Sequence, residues 1–77
     1  MKHGIRFSEA EPVFEDNYAL TIADDESDPS EARFVSIGMG AKARVLVVVY
    51  SDHGGNIRII SARLAEPHER KAYEELR

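Results

Sequence analysis

The sequence contains no cysteine, and this absence limits the chemistry that the chain can perform. It excludes disulfides and thiolate metal sites, and it fits a cytoplasmic protein. No apolar run approaches the ~20 residues of a membrane-spanning helix, and no signal-peptide pattern opens the chain. The sequence therefore predicts a protein without a membrane segment.

The motifs of several familiar enzyme classes are also missing. There is no Gly-x-x-x-x-Gly-Lys phosphate loop, no His-x-x-x-His pair and no persuasive Ser-His-Asp order. The acidic stretch 24–31 lacks the Asp-x-Asp-x-Asn-Gly spacing of a calcium loop, so we interpret it as a solvated loop. We expect neither a metal site nor a cofactor.

The length and composition indicate one small globular domain over residues 1–77. Hydrophobic residues make up 43% of the chain, and no repeat, low-complexity segment or internal linker divides it. A domain near this lower size limit has little stability to spare, about 5 kcal/mol.

Charge is distributed unevenly along the chain. The net charge is −4, but residues 1–41 hold nine acidic and three basic residues, a balance of −6. Residues 42–77 hold seven basic and five acidic residues, a balance of +2. Phosphate binding depends on the local field, so the second half can bind nucleic acid although the whole chain is acidic.

Hydrophobic patterning predicts an α+β fold, a small antiparallel sheet of three to four strands with helices against one face. The run 45–50 is apolar throughout, which is typical of a central strand buried on both faces. The other predicted elements are a short helix over residues 9–14, strands over 19–23, 33–39 and 56–62, and a C-terminal helix after Glu66.

Local signals set the ends of these elements. Ser8-Glu9-Ala10-Glu11 has the form of a capping box, which predicts Ser8 as the N-cap of the first helix. The glycine-rich residues 52–55 predict a hairpin connection. Pro67 suits the first position of the last helix, where its missing amide costs nothing.

The segment 56–73 concentrates the side chains that can carry chemistry. Arg58 lies inside a predicted strand, either on a solvent-facing side or paired with Glu69, or free to bind a phosphate with its planar fork. Arg63 follows five residues later, so strict alternation would put the two arginines on opposite faces. A bulge or a strong twist between them would bring both to one face.

Four other side chains each allow a structural and a functional interpretation. Arg70 can pair with Glu66 in its own helix or contact phosphate. Glu69 can cap its helix, pair with a sheet arginine or transfer a proton. Tyr73 can belong to the core or stack on a base, and Arg33 can be an edge charge or an RNA contact.

Three histidines could transfer protons near neutral pH. His53 lies in the predicted hairpin loop and His68 in the first turn of the last helix, and we interpret both as bystanders. His3 lies near the start of the chain beside Lys2.

The same segments resemble a known family. The pattern is specific because several separated segments agree in order and spacing: Lys2-His3-Gly4, 7–14, Glu31-Ala32-Arg33-Phe34, 46–50, Arg58-Ile59-Ile60-Ser61-Ala62-Arg63 and Glu69-Arg70-Lys71-Ala72-Tyr73-Glu74. It resembles BrnT, the ribonuclease toxin of a bacterial type II toxin–antitoxin system. The resemblance implies a RelE-like fold and a metal-independent endoribonuclease that inhibits translation and growth.

The resemblance also implies partners and site residues. The toxin would be neutralised by a ribbon-helix-helix antitoxin of the BrnA type, as a homodimer or a toxin–antitoxin heterotetramer, and operator DNA would be bound only through that complex. The catalytic residues implied are Arg58, Arg63, Glu69 and His3. The RNA-binding residues implied are Lys2, Arg33, Arg70 and Tyr73.

One departure from the family pattern supports an alternative function. Similar chains begin with a strand containing Trp-Asp and a helix carrying Lys and Asn, whereas this chain opens at Lys2-His3-Gly4, which resembles the end of that helix. We therefore expect the first element to be missing. The alternative is a truncated or degenerate domain that binds the antitoxin, or RNA, without cleaving it.

Overall fold

The fold was analysed in a computed structural model, which describes residues 5–23 and 32–75. Its elements, in chain order, are α1 (Phe7–Ala10), a 3₁₀ helix (Glu11–Glu15), β1 (Leu20–Ala23), β2 (Ala32–Met39), β3 (Val45–His53), β4 (Asn56–Leu64) and α2 (Pro67–Glu75). The strands form one antiparallel sheet in the order β1-β2-β3-β4. The predicted α+β class is confirmed, with four strands. Neither described α-helix is long and apolar enough to cross a membrane.

The first helix begins earlier than the capping-box pattern predicted, so the assignment of Ser8 as N-cap is wrong. The N-cap is Arg6, which makes no side-chain capping bond, and Ser8 lies inside α1. Pro12 ends the α-helical hydrogen bonding early because it has no amide and its ring crowds the preceding turn. The chain therefore continues as a 3₁₀ helix from Glu11.

Glu9 is buried and paired across the fold. Its carboxylate accepts bonds from Arg44 Nε at 3.0 Å and from Arg44 Nη2 at 2.7 Å. Its backbone oxygen also accepts the Ala41 amide at 2.9 Å. These contacts fasten α1 to the start of β3.

The central position predicted for the apolar run is confirmed. β3 lies between β2 and β4, and four consecutive side chains at its start are buried: Val45, Leu46, Val47 and Val48. Successive strand residues point to opposite faces, so burial of all four means that both faces are covered at this end.

The two faces of the sheet have different partners. Leu46, Val48 and Ala62 share one face, which we call the core face, and they cluster there with residues of the N-terminal segment: Ile5, Ala10 and Val13. We call the opposite face the arginine face, because it carries Arg33, Arg58 and Arg63.

Helix α2 lies over part of the arginine face. Its Glu69 bonds to Arg63, and the helix also contacts β2. The expectation that all helices cover one face is therefore wrong. After β4 the chain turns at Ala65, whose amide bonds to Val45 O at 3.0 Å, and this turn directs α2 away from the core face.

Asp16 connects the two helical layers at the end of the sheet. Its Oδ2 accepts a hydrogen bond from the Met39 amide at 2.9 Å. Met39 lies two residues after Ile37, the last residue of β2 that pairs with β1. The Tyr73 hydroxyl of α2 donates to the same oxygen. Asp16 thus joins the 3₁₀ helix, the sheet and α2.

The hairpin between β3 and β4 has the predicted position, although β3 runs further into it than expected, to His53. Gly54 and Gly55 form a two-residue turn with φ angles of 59° and 96°. Both angles are positive, which glycine adopts without strain. Asp52 Oδ1 accepts the Gly55 amide at 2.9 Å and fixes the turn.

Candidate functional site

A bulge in β4 decides the relative position of Arg58 and Arg63. Val49 pairs with Ser61 and Tyr50 with Ile59, so Ile60 is an extra residue without a cross-strand partner. On the two sides of this bulge, Arg58 pairs with Ser51 and Arg63 pairs with Val47. Ser51 and Val47 are four residues apart on β3, so the two arginines lie on the same face. The bulge thereby satisfies the geometric condition that sequence alternation alone left open.

Arg33 joins these residues on the arginine face. It pairs with Ser51 from the β2 side, as Arg58 does from the β4 side, so Arg33, Ser51 and Arg58 form one cross-strand row. We call it the arginine row. Its outer residues are two strand spacings apart, about 10 Å between Cα atoms.

The two arginines of the row are solvent-exposed. Within residues 5–23 and 32–75, no hydrogen bond or ion pair engages the Arg58 guanidinium. The suggested pair between Arg58 and Glu69 is not formed, because both oxygens of the Glu69 carboxylate are bonded to Arg63. Arg58 is therefore available to a ligand.

Arg63 and Glu69 form a bidentate pair at the corner between β4 and α2. Arg63 Nη1 donates to Glu69 Oε1 and Nη2 to Oε2, both at 2.8 Å. Oε1 also accepts the Glu66 amide at 2.8 Å, so Glu69 caps its own helix as predicted from its position. The guanidinium is thus fixed in direction while the side chain stays 40% exposed.

The pair shifts both ionisation equilibria toward the charged forms. The hydrogen bond from Arg63 lowers the pKa of Glu69 to about 2, with a smaller lowering from the Glu66 amide. The bond to Glu69 raises the pKa of Arg63. Near neutral pH Glu69 is an anion with little affinity for a proton, which suits it to orient Arg63 and not to carry protons.

Arg58 and Arg63 are separated along the sheet. Their partners on β3 are four residues apart, which corresponds to about 13 Å. This separation suits contacts with successive groups of an extended polyanion better than contacts with one small ion.

Arg70 lies elsewhere. It lines a cleft of about 380 Å³ with Met39, Arg44, Val45 and Glu74. Val45 is six residues from Ser51 on β3, so this cleft is about 20 Å from the arginine row. The helical pair suggested between Arg70 and Glu66 is not formed, and Glu66 lies instead 3.8 Å from His68 Nδ1. The cleft is also lined by Leu64 and Ala65, so it adjoins the corner of Arg63 and Glu69 and is remote from the arginine row only.

The remaining predicted residues have varied positions. Tyr73 is 2% exposed with its hydroxyl bonded to Asp16, which gives it the core role that was left open beside base stacking. His53 and His68 are exposed. Lys2 and His3, like the acidic stretch 24–31, lie outside the described residues.

Sequence reasoning did not identify Ser51 as part of the site. Its hydroxyl is fully buried on the arginine face, between Arg33 and Arg58, and has no hydrogen-bond partner. The only sequence signal was a polar residue that ends the apolar run of β3. Its importance depends on strand register, which the local sequence does not contain.

Comparison with known proteins places these residues in a family. The family model described as the ribonuclease toxin BrnT of type II toxin–antitoxin systems matches residues 1–69. The matched region includes the arginine row and the Arg63–Glu69 pair. No curated protein matches the chain. In the described residues, no three histidine or carboxylate side chains are grouped so that they could bind a metal ion.

Proposed function

The chain belongs to the BrnT family of ribonuclease toxins, and from that premise we propose that it is an endoribonuclease that cleaves RNA without a metal ion. Membership of a type II system implies an antitoxin partner. We propose that this partner is a ribbon-helix-helix protein of the BrnA type, that both act in the cytoplasm, and that operator DNA is bound only through their complex.

The observation that supports this proposal is the alignment of three arginines on one sheet face. Arg33, Arg58 and Arg63 reach that face from two strands, and the bulge at Ile60 brings the last two into phase. Arginine keeps its charge at every relevant pH and binds phosphate oxygens in pairs. Three arginines on one sheet face, two of them solvent-exposed, suit contact with an extended phosphodiester chain.

The proposed reaction is attack of a ribose 2′-oxygen on the adjacent phosphorus. A bond forms between that oxygen and phosphorus, and the bond from phosphorus to the 5′-oxygen breaks. A base removes the 2′-hydroxyl proton and an acid protonates the departing 5′-oxygen. Arg63 stabilises the negative charge that accumulates on the oxygens of the reacting phosphate, and Arg58 binds a neighbouring phosphate about 13 Å along the sheet.

The other residues have supporting roles in this proposal. Glu69 is a positioning residue, because its bidentate bond directs the Arg63 guanidinium. Proton transfer is assigned to His3, as the family resemblance implies, together with RNA contact by Lys2. Arg70 is proposed as an RNA contact, because its cleft adjoins the corner of Arg63 and Glu69.

The first test is cleavage of RNA by the purified protein in EDTA, with Arg58→Ala and Arg63→Ala measured beside it. We expect cleavage to persist in EDTA and to fall at least tenfold in each variant, as for the loss of one charge-stabilising donor. Lys42→Ala is the matched control, because it removes one positive charge from the exposed turn before β3, at the end of that strand away from Arg58.

Two outcomes would contradict the proposal. Unchanged cleavage in both variants would show that neither Arg58 nor Arg63 belongs to the active site. A parent protein that binds the antitoxin but leaves RNA intact would favour the interaction-only alternative over an enzyme.

A further inference from the structure

The hydroxyl of Ser51 is unusual in this sheet. Ser51 is 0% exposed and its Oγ has no hydrogen-bond partner. A buried hydroxyl without a partner destabilises the folded state, so most native structures avoid one. Such a group in a small domain calls for a functional reason.

A second buried serine provides the comparison. Ser36 lies on β2 and points to the core face, where its Oγ is 2.8 Å from Thr21 Oγ1 and 3.3 Å from the Tyr50 hydroxyl. The sheet therefore satisfies the buried serine of the core face and leaves the one of the arginine face unsatisfied. The serine without a hydrogen-bond partner is therefore the one on the face that is proposed to bind RNA.

The neighbours of Ser51 specify the kind of ligand. Arg33 and Arg58 pair with it from either side, which places two positively charged residues beside it. A cation would be repelled there, and a neutral ligand would gain little from two guanidinium groups. An oxyanion gains charge-assisted bonds from Arg58 and accepts a third bond from the hydroxyl.

We propose that the arginine row is an oxyanion-binding site in which Ser51 Oγ donates a hydrogen bond to a phosphate oxygen between Arg33 and Arg58. This inference rests on the proposed function, because it identifies the oxyanion as a phosphodiester of the RNA. In this site Ser51 is a substrate-binding residue whose hydrogen bond is made only in the complex.

Binding requires a local rearrangement, since Ser51 is 0% exposed in the free protein. Arg58 is exposed and engages no described residue, so it can change rotamer when a phosphate arrives. The guanidinium then closes over the ligand from the β4 side. The free protein keeps the hydroxyl unsatisfied, and the complex satisfies it.

The test measures binding and stability separately in Ser51→Ala and Ser36→Ala. Binding is measured in EDTA with an RNA oligonucleotide blocked by 2′-O-methyl groups, which cannot be cleaved, and with inorganic phosphate. Stability is measured by thermal unfolding without ligand. Full-length protein is used throughout.

The two serines are expected to behave in opposite ways. Ser51→Ala should keep or raise the melting temperature, because it removes an unsatisfied group, and weaken RNA and phosphate binding about tenfold. Ser36→Ala should lower the melting temperature and leave both affinities unchanged.

Other results would overturn the inference. Unchanged binding in Ser51→Ala removes the hydroxyl from the site, and a loss of stability equal to that of Ser36→Ala makes it structural. Weaker binding of phosphate with unchanged RNA affinity assigns the site to a free anion instead of the substrate. If Ser51→Ala binds normally while Arg58→Ala loses cleavage, the inference fails and the proposed endoribonuclease stands.

Discussion

At the scale of single residues, the pairing of Arg63 with Glu69 gives the carboxylate an orienting role and makes it a poor group for proton transfer. The carboxylate is bonded at both oxygens and stays ionised, so its contribution is the direction of a guanidinium. A site of this kind needs its acid and base from other side chains. The pair also links the proposed site to the stability of helix α2.

This link predicts a pH dependence of unfolding. The pKa of Glu69 is about 2 in the folded protein, below its ordinary value of 4.5, so the folded state binds the proton less readily than the unfolded state. The stabilisation is complete above about pH 4.5 and is lost as the pH falls toward 2. Glu69→Gln should cost about 1–2 kcal/mol at pH 7 through the lost pair and cap.

The measurement is the free energy of unfolding of both proteins between pH 7 and pH 2. The difference between wild type and Glu69→Gln should shrink across the acidic range. Glu75→Gln, near the end of the same helix, removes a charge without touching Arg63 and should follow the wild-type curve. A difference that stays constant with pH would contradict the assignment.

At the scale of elements, the strands and α2 were more predictable than their relative geometry. The unbroken apolar run predicted a central strand, and Pro67 marked the first residue of α2, because both signals are local. Ser8 was misassigned because α1 already begins at Phe7, after an N-cap, Arg6, that makes no side-chain capping bond. The position of the bulge was not predictable, since it depends on how β4 aligns with β3.

The facing of Arg58 can be tested by inserting one alanine between Arg58 and Ile59. The insertion places Arg58 opposite Asp52, so its side chain turns to the core face while Ile59 keeps its partner Tyr50. We expect RNA binding to fall at least tenfold and stability to fall as well. Ile60→Thr is the matched control, because it keeps the register at a position that is 41% exposed and should keep both properties.

The insertion is informative even though it destabilises the domain. Binding is measured at a temperature where circular dichroism reports a folded protein, and Ile59→Ala serves as a comparison with reduced stability and an unchanged register. If the insertion and Ile59→Ala lose RNA binding equally, register is not the cause.

At the scale of the whole molecule, Asp16 joins layers that lie on opposite sides of the sheet. Its carboxylate receives the Met39 amide from the sheet and the Tyr73 hydroxyl from α2. The sequence predicted both helices but not this connection, because the residues are 57 positions apart in the chain. Long-range polar contacts of this kind leave no periodic signal.

Tyr73→Phe tests whether Tyr73 is structural. It removes the hydroxyl and keeps the ring, so stability should fall by about 1 kcal/mol while RNA affinity stays the same. Tyr18→Phe, at a tyrosine that is 52% exposed, is the comparison for the general effect of losing a phenol hydroxyl. A variant with weaker RNA binding at full stability would place Tyr73 in the RNA site after all.

The extra residue at Ile60 also affects how copies of the protein meet in a concentrated solution. β4 is an outer strand of the sheet, and a straight outer strand of nine residues could template pairing with a strand from another molecule. The bulge divides it into the shorter runs 56–59 and 61–64, which differ in twist. The residue that aligns the arginines therefore also protects the chain against aggregation.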